Sequence, residues 1–164
     1  GLGRHHETVD LIRKLVSDLT ASAVIDADGL NAFEGDADLL AQSSQQLVLT
    51  PHPGEFFRLM GEKVSDPIRD VKRLAARTGS IVVLKGAPTV IGTPDGRSFV
   101  NLSGNPGLAT GGSGDVLTGI ISGLLAQGCE PLWAAPAAQA APEGRPPRGC
   151  AFTPAREGGL GQRP

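Results

Sequence analysis

Asp66-Pro67-Ile68-Arg69-Asp70-Val71-Lys72-Arg73-Leu74-Ala75-Ala76-Arg77-Thr78-Gly79-Ser80-Ile81-Val82-Val83-Leu84 reads as a helix running straight into a buried strand. Asp66 is a residue of the N-cap type, and Pro67 suits the first helical position, where its missing N–H has no intrahelical partner to lose. Ile68, Val71, Leu74 and Ala75 recur at helical spacing, and Gly79 supplies the C-terminal stop. Ile81 to Leu84 is short, β-branched and continuous, the pattern of a strand covered on both faces.

The same alternation extends to either side. Upstream, a helix is expected from Glu7 to Asp18 with Val9, Ile12, Val16 and Leu19 on one face, then a strand at Ala23-Val24-Ile25. A second helix is expected over Ala37 to Gln42, and a strand at Leu47-Val48-Leu49 that Pro51 and Pro53 prevent from continuing. Downstream, Thr89-Val90-Ile91 and Ser98-Phe99-Val100 flank Thr93-Pro94-Asp95-Gly96, a hairpin by its turn chemistry. A glycine-rich stretch from Gly104 to Gly114 then enters an apolar helix, Val116 to Ala126. Strands alternating with helices predict an α/β layered fold whose mostly parallel sheet is flanked by helices.

Composition bounds the function. A chain of 164 residues holds one domain with a core of its own. The net charge of −2 gives no bulk attraction to nucleic acid or anionic membranes, and the absence of Tyr argues against a base-stacking platform. No apolar run approaches the roughly 18 residues a membrane helix needs. No basic segment followed by an apolar one opens the chain, so the default expectation is cytoplasmic. Cys129 and Cys150 stand outside any CxxC or Cys/His pattern and read as free thiols. The domain is expected over residues 1–128. Residues 129–164 read as a disordered tail, because residues 131–164 carry seven of the thirteen prolines and no periodic apolar pattern. Its mixture of Pro, Arg, Gly and Ala has the look of a GC-rich message read out of frame, with a Pro-rich linker as the alternative.

Three segments carry chemistry. In Asn105-Pro106-Gly107-Leu108-Ala109-Thr110-Gly111-Gly112-Ser113-Gly114-Asp115, the glycines let backbone N–H groups converge on a phosphate, and the helix start adds the positive end of its dipole. Such an anion hole stabilises charge on a transferred phosphoryl group. Asp115 lies where it can accept a proton from an attacking hydroxyl, although an Asp there can equally be a helix cap. No Gly-Lys-Ser/Thr follows, so this is not a Walker A loop. Lys85-Gly86 sits at the carboxyl end of the best strand, where open α/β sheets bind ligands; it contacts phosphates as a point charge or is merely solvated. His52, held between Pro51 and Pro53, suits substrate orientation or a plain surface turn. Asp26, Asp28 and Asn31 form a further polar set at a strand end, with local capping as the simpler reading.

Together these segments resemble the ADP- or ATP-dependent NAD(P)H-hydrate dehydratases, a branch of the ribokinase-like superfamily. The likeness runs from Gly1 to about Gly128. Gly1-Leu2-Gly3 resembles the end of that family's Gly-Pro-Gly-Leu-Gly motif, and Val24 to Asn31 its strand-and-loop signature. Leu49 to Gly61 resembles its Thr-Pro-His-Pro-Gly-Glu segment, Val83 to Gly86 its nucleotide strand, and Ala109 to Gly119 its anion-hole helix. The resemblance implies a ribokinase-like fold, here incomplete at both ends. It implies that Lys85, Gly86, Ala87, Pro88 and Thr89, with Asn105, Gly107, Ala109, Thr110, Gly111, Gly112, Ser113 and Gly114, contact the adenine nucleotide. Gly1, Gly3, His52 and Asp115 would contact the hydrated dinucleotide, with Asp115 as catalytic base and no metal ligand on the chain itself. The implied activity is that of a hydro-lyase: ADP or ATP, with Mg²⁺ accompanying it, phosphorylates the S-epimer of hydrated NADH or NADPH, and phosphate then leaves. ADP is implied as the donor, along with a homo-oligomer at full length and an NAD(P)H-hydrate epimerase as partner or fusion. The alternatives are a vitamin-precursor kinase of the same superfamily and an inactive fragment of the dehydratase.

Overall fold

Side chains alternate across the strands, and that alternation decides the layers. A computed structural model describes residues 2–101 and 112–140. Its sheet has five strands in the order β1 (Ala23–Ile25), β2 (Leu47–Leu49), β3 (Ile81–Leu84), β4 (Thr89–Gly92) and β5 (Ser98–Asn101). β1, β2 and β3 pair in parallel, with Ile25 opposite Leu49 and Leu49 opposite Val82. β4 and β5 add an antiparallel hairpin, with Val83 opposite Ile91 and Ile91 opposite Phe99.

One face of the sheet, through Leu47, Leu49, Val82, Leu84 and Val90, packs on α1 (His6–Ser17), α2 (Asp28–Asn31), α3 (Pro53–Met60), α4 (Pro67–Thr78) and a 3₁₀ helix (Ala37–Gln42). The other face, through Val48, Ile81, Val83 and Ile91, packs on α5 (Ser113–Ala126) and α6 (Pro131–Ala140). The expected helix–strand pair is present: the Asp66 carboxylate accepts from Ile68 N and Arg69 N, and Gly79 closes α4 at φ +63°. A left-handed residue there suits glycine, which carries no Cβ to clash.

Three elements differ from the sequence reading. α3 forms where two prolines pointed to a loop, because Pro53 occupies the first helical position and the preceding His52 caps it. α2 is a single turn, too short to leave a periodic pattern. The third difference is α6, in the segment expected to be disordered from residue 129. Ala134, Ala135 and Ala138 are buried, and Leu132 and Trp133 pack against the cluster that covers the second face. Five of the seven prolines counted into that segment lie beyond residue 140; within α6, strong helix formers surround Pro136. Residues 141–164, also expected to be disordered, lie outside the described residues. Cys129 is buried and disulfide-bonded rather than a free thiol, its partner lying outside the described residues; sequence spacing carries no information about the distance between two sulfurs in space. Among the described residues no helix is long and apolar enough to cross a membrane.

Candidate active site

The three parallel strands end on one edge, and each delivers a polar or charged side chain there. β1 ends at Ile25 and hands the chain to Asp26. β2 ends at Leu49 and leads through Thr50 and Pro51 to His52. β3 ends at Leu84 and leads to Lys85. Backbone bonds continue past the strands and hold these ends together: Thr50 N donates to Ile25 O at 3.2 Å and Lys85 N to Pro51 O at 2.8 Å. Lys85 Nζ donates to Asp26 Oδ1 at 2.7 Å and lies 3.6 Å from Glu55 Oε2. Burial works against the charged form of Asp26. The Lys85 ammonium, the Thr118 hydroxyl and the Ala27 N–H outweigh it and hold the carboxyl below its ordinary value.

α5 meets this edge end-on. Its N-cap is Gly112, at φ +93°, and no side chain caps it. That left-handed cap is one a glycine adopts without strain. A Cβ on Gly114 would lie 3.6 Å from both Asp26 Oδ2 and Lys85 Nζ, so the first turn of α5 abuts the ion pair. Thr118 Oγ1 donates to Asp26 Oδ2 at 2.9 Å. Asp115, in the first turn, is exposed and makes no hydrogen bond or ion pair with a described residue. It is not the cap of α5, so the capping alternative for this residue falls away. A carboxylate in the first turn of a helix, with its oxygens unbonded among the described residues, can accept a proton from a bound hydroxyl.

His52 has a defined local task. Its Nδ1 accepts from Gly54 N at 2.9 Å and from Glu55 N at 3.3 Å, while Glu55 Oε2 accepts from His52 N at 2.8 Å. This is a reciprocal capping box, with His52 in the place usually held by Ser or Thr. Because Nδ1 accepts, the ring proton sits on Nε2, which lies 3.4 Å from Glu55 Oε1. The ring is about half exposed and remains within reach of a ligand. Gly3, at φ +82°, donates to Asp28 Oδ2 at 3.0 Å. Asp28 Oδ1 accepts from Asn31 Nδ2 at 3.2 Å, and Asn31 Oδ1 from Arg58 at 3.0 Å. The N-terminal turn, α2 and α3 therefore share one polar network.

Of the sequence-predicted residues, Lys85, Gly112, Ser113, Gly114 and Asp115 lie at one edge with His52, while Gly86, Ala87, Pro88 and Thr89 form the β3–β4 turn. Thr89 Oγ1 donates to Gly86 O at 3.0 Å across that turn. Gly1, Asn105, Gly107, Ala109, Thr110 and Gly111 lie outside the described residues. Sequence reasoning missed Glu55 and Thr118 as parts of the site and set Asp26 aside as a capping group. The i, i+3 spacing from Asp115 to Thr118 was the available signal, since it places both on neighbouring parts of one helix surface. A concavity of about 530 Å³ opens at the opposite edge, between Ala21–Val24 and Cys129–Pro131, and its lining is mostly small and apolar. The convergent charged groups, and not this volume, mark the site.

The sequence matches known proteins along most of its length. Over 135 residues it is 48% identical to the bifunctional NAD(P)H-hydrate repair enzyme Nnr of Moorella thermoacetica, covering 80% of this chain and 26% of that protein. It is 45% identical over 135 residues to the ADP-dependent (S)-NAD(P)H-hydrate dehydratase of Neisseria meningitidis serogroup B, covering 78% of this chain and 46% of that protein. The crystal structure of the ADP/ATP-dependent NAD(P)H-hydrate dehydratase of Bacillus subtilis, co-crystallised with ATP/Mg²⁺, superposes with a TM-score of 0.67 at 36% identity, covering 80% of this chain and 47% of that one. The chain thus spans about a quarter to a half of the length of the relatives it matches. The architecture is ribokinase-like. A family profile matches residues 1–144, which carries the family's sequence through α6 and past the boundary expected at residue 128. On that match and these relatives, the chain belongs to the NAD(P)H-hydrate dehydratase family.

Proposed function

We propose that the carboxyl edge of the sheet binds an adenine nucleotide and hydrated NAD(P)H, and that it performs the nucleotide-dependent dehydration of the S-epimer. The observation that carries this reading is Asp115: an exposed carboxylate, unbonded among the described residues, in the first turn of α5 and next to Gly114, which abuts the Asp26–Lys85 pair. Asp115 accepts the proton of the C6 hydroxyl of the hydrated nicotinamide ring as the hydroxyl oxygen attacks the terminal phosphorus of the nucleotide. Lys85 and the N–H groups at the start of α5 carry the charge of the transferred phosphoryl group. The C6–O bond then breaks, phosphate leaves, and loss of the neighbouring proton restores the ring double bond. The hydrate thus loses the elements of water, its C6 oxygen leaving within inorganic phosphate, and ADP becomes AMP.

ADP with Mg²⁺ is the proposed co-substrate, supported by the ADP-dependent relative and by the relative crystallised with ATP/Mg²⁺. His52 and the turn at Gly3 are proposed to contact the dinucleotide, with the anion hole completed by Asn105 to Gly111. A cytoplasmic location, a homo-oligomer at full length and an epimerase partner or fusion belong to the same reading. The bifunctional repair enzymes among the relatives support the last of these. The test is to mix the protein with chemically hydrated NADH, ADP and Mg²⁺ and to follow the return of reduced-nicotinamide absorbance. Recovery that requires nucleotide is expected. No recovery, together with phosphorylation of a vitamin-precursor alcohol, would transfer the chain to the kinase branch.

A further inference from the structure

α5 carries the proposed base, and its first turns pack on the sheet only through the partly buried Leu117 and Ile120 among their large apolar residues. Val116 and Gly119 are exposed, and the helix residue that is fully buried, Ile121, lies further along. Gly112 caps the helix without a side-chain bond. Among the described residues, the side-chain hydrogen bond that ties α5 to the sheet edge is Thr118 Oγ1 to Asp26 Oδ2, 2.9 Å long and spanning 92 residues of sequence. Asp26 uses its other oxygen on Lys85 Nζ and on Ala27 N, at 2.7 and 2.9 Å. Ala27 itself stands at φ +49°, ψ −120°, a left-handed backbone that a residue with a Cβ rarely adopts and that persists only where its surroundings fix it. One carboxylate therefore spans the end of β1, the end of β3 and the second turn of α5.

We propose that Asp26 and Thr118 are positioning residues: together they form a strut that sets Asp115 and Lys85 at a fixed separation for phosphoryl transfer. The inference rests on the function proposed above. Thr118 follows Asp115 by three residues, which is about 4.5 Å along the helix axis and most of one turn around it. Fixing Thr118 on Asp26 thus fixes both the height and the rotation of Asp115 over the strand edge. Fixing Lys85 on the same carboxylate fixes the second charged group relative to the first. Neither Asp26 nor Thr118 needs to touch the reacting atoms for this. A base displaced by even an ångström loses rate while leaving ground-state binding largely intact.

The test compares the wild-type chain with Thr118→Val, which keeps the shape and removes the donor, and Thr118→Ser, which keeps the donor. In the nucleotide-free protein, amide resonances of Gly114 to Leu117 and of Lys85 should move in Thr118→Val and return to wild-type positions in Thr118→Ser. With hydrated NADH and ADP, Thr118→Val should lower kcat about tenfold or more, the scale of one hydrogen bond to a charged group, with KM for ADP within about twofold. Thr118→Ser should recover most of the rate. Unchanged resonances in Thr118→Val, a loss confined to KM, or a Thr118→Ser protein that behaves like Thr118→Val would each overturn the strut. If the wild-type chain gives no turnover, the functional reading fails, and the resonances alone decide the strut.

Discussion

On the proposed function, Asp115 and Lys85 divide the work of the edge, and single substitutions should separate them. Asp115→Asn keeps the size of the side chain and removes the proton acceptor. It is expected to lower kcat by roughly 10²–10⁴-fold, the range for a general base, while nucleotide affinity measured by calorimetry stays near wild type. A variant that retains most of its kcat would make Asp115 a bystander. Lys85→Ala is expected to raise the KM for nucleotide and also to lower kcat, because the ammonium both contacts the bound phosphate and carries charge that develops on the transferred phosphoryl group. It also strips Asp26 of the hydrogen bond and charge that hold its carboxyl down, leaving burial to push the other way. The Asp26 carboxyl should therefore titrate at higher pH in Lys85→Ala, as carbon-detected NMR of the side chain would show; an unmoved titration would remove Lys85 from its role. The placement of Asp115 and Lys85 at this edge was legible in the sequence because each follows a local signal, the glycine run and the end of a continuous apolar strand. Their partners were not. Asp26 lies 59 residues from Lys85 and 92 from Thr118, and parallel crossovers bring them together only in three dimensions.

Helix α4 shows how local chemistry sets pH dependence at the scale of an element. Asp70 is almost fully buried, which raises its carboxyl pKa, but Ser65 N and Asp66 N, at 2.8 and 3.0 Å, and the Arg69 guanidinium more than compensate and bring it down to about 2. A carboxyl whose folded pKa lies below its unfolded value stabilises the fold above the unfolded pKa and loses that contribution as pH falls through the folded one. Acid should thus weaken the start of α4 between about pH 4 and pH 2. Asp70→Asn should lower stability at pH 7 by about 1–2 kcal/mol, allowing for solvent screening, and flatten the acid limb of the melting-temperature profile. An unchanged acid limb in Asp70→Asn would show that the loop before α4 is held by something else. Whether an element could be read depended on its length and period. α4 has a cap, a stripe and a stop within nineteen residues, Asp66 to Leu84 including the strand it feeds. α3 was obscured because His52 is an uncommon cap, although the Glu three residues later completes the box.

Across the whole molecule, the sheet needs cover on both faces, and α5 with α6 covers one of them. Deleting residues 131–164 should remove α6, bare Val48, Ile81 and Val83, and lower stability by several kcal/mol beyond the effect of deleting residues 141–164, which removes the disulfide of Cys129 but keeps α6. Trp133, the chain's one tryptophan, reports the same contact: its emission should be blue-shifted in the folded protein and move to longer wavelength when Ala135→Asp undocks the helix. Equal melting temperatures for both deletions would mean that α6 adds nothing to the core. The α/β layering was readable from the period of each segment, and α6 was not, because Pro content averaged over thirty-four residues masked an alanine-rich helix at its start. The central claim, that the carboxyl edge transfers a phosphoryl group to hydrated NAD(P)H and then expels it, is tested most directly by product stoichiometry. Phosphorus NMR of a reaction containing the protein, hydrated NADH and ADP·Mg²⁺ should show one AMP and one inorganic phosphate for each NADH regenerated, and neither product without the hydrate. Phosphate retained on an organic product, or NADH regenerated without AMP, would contradict it.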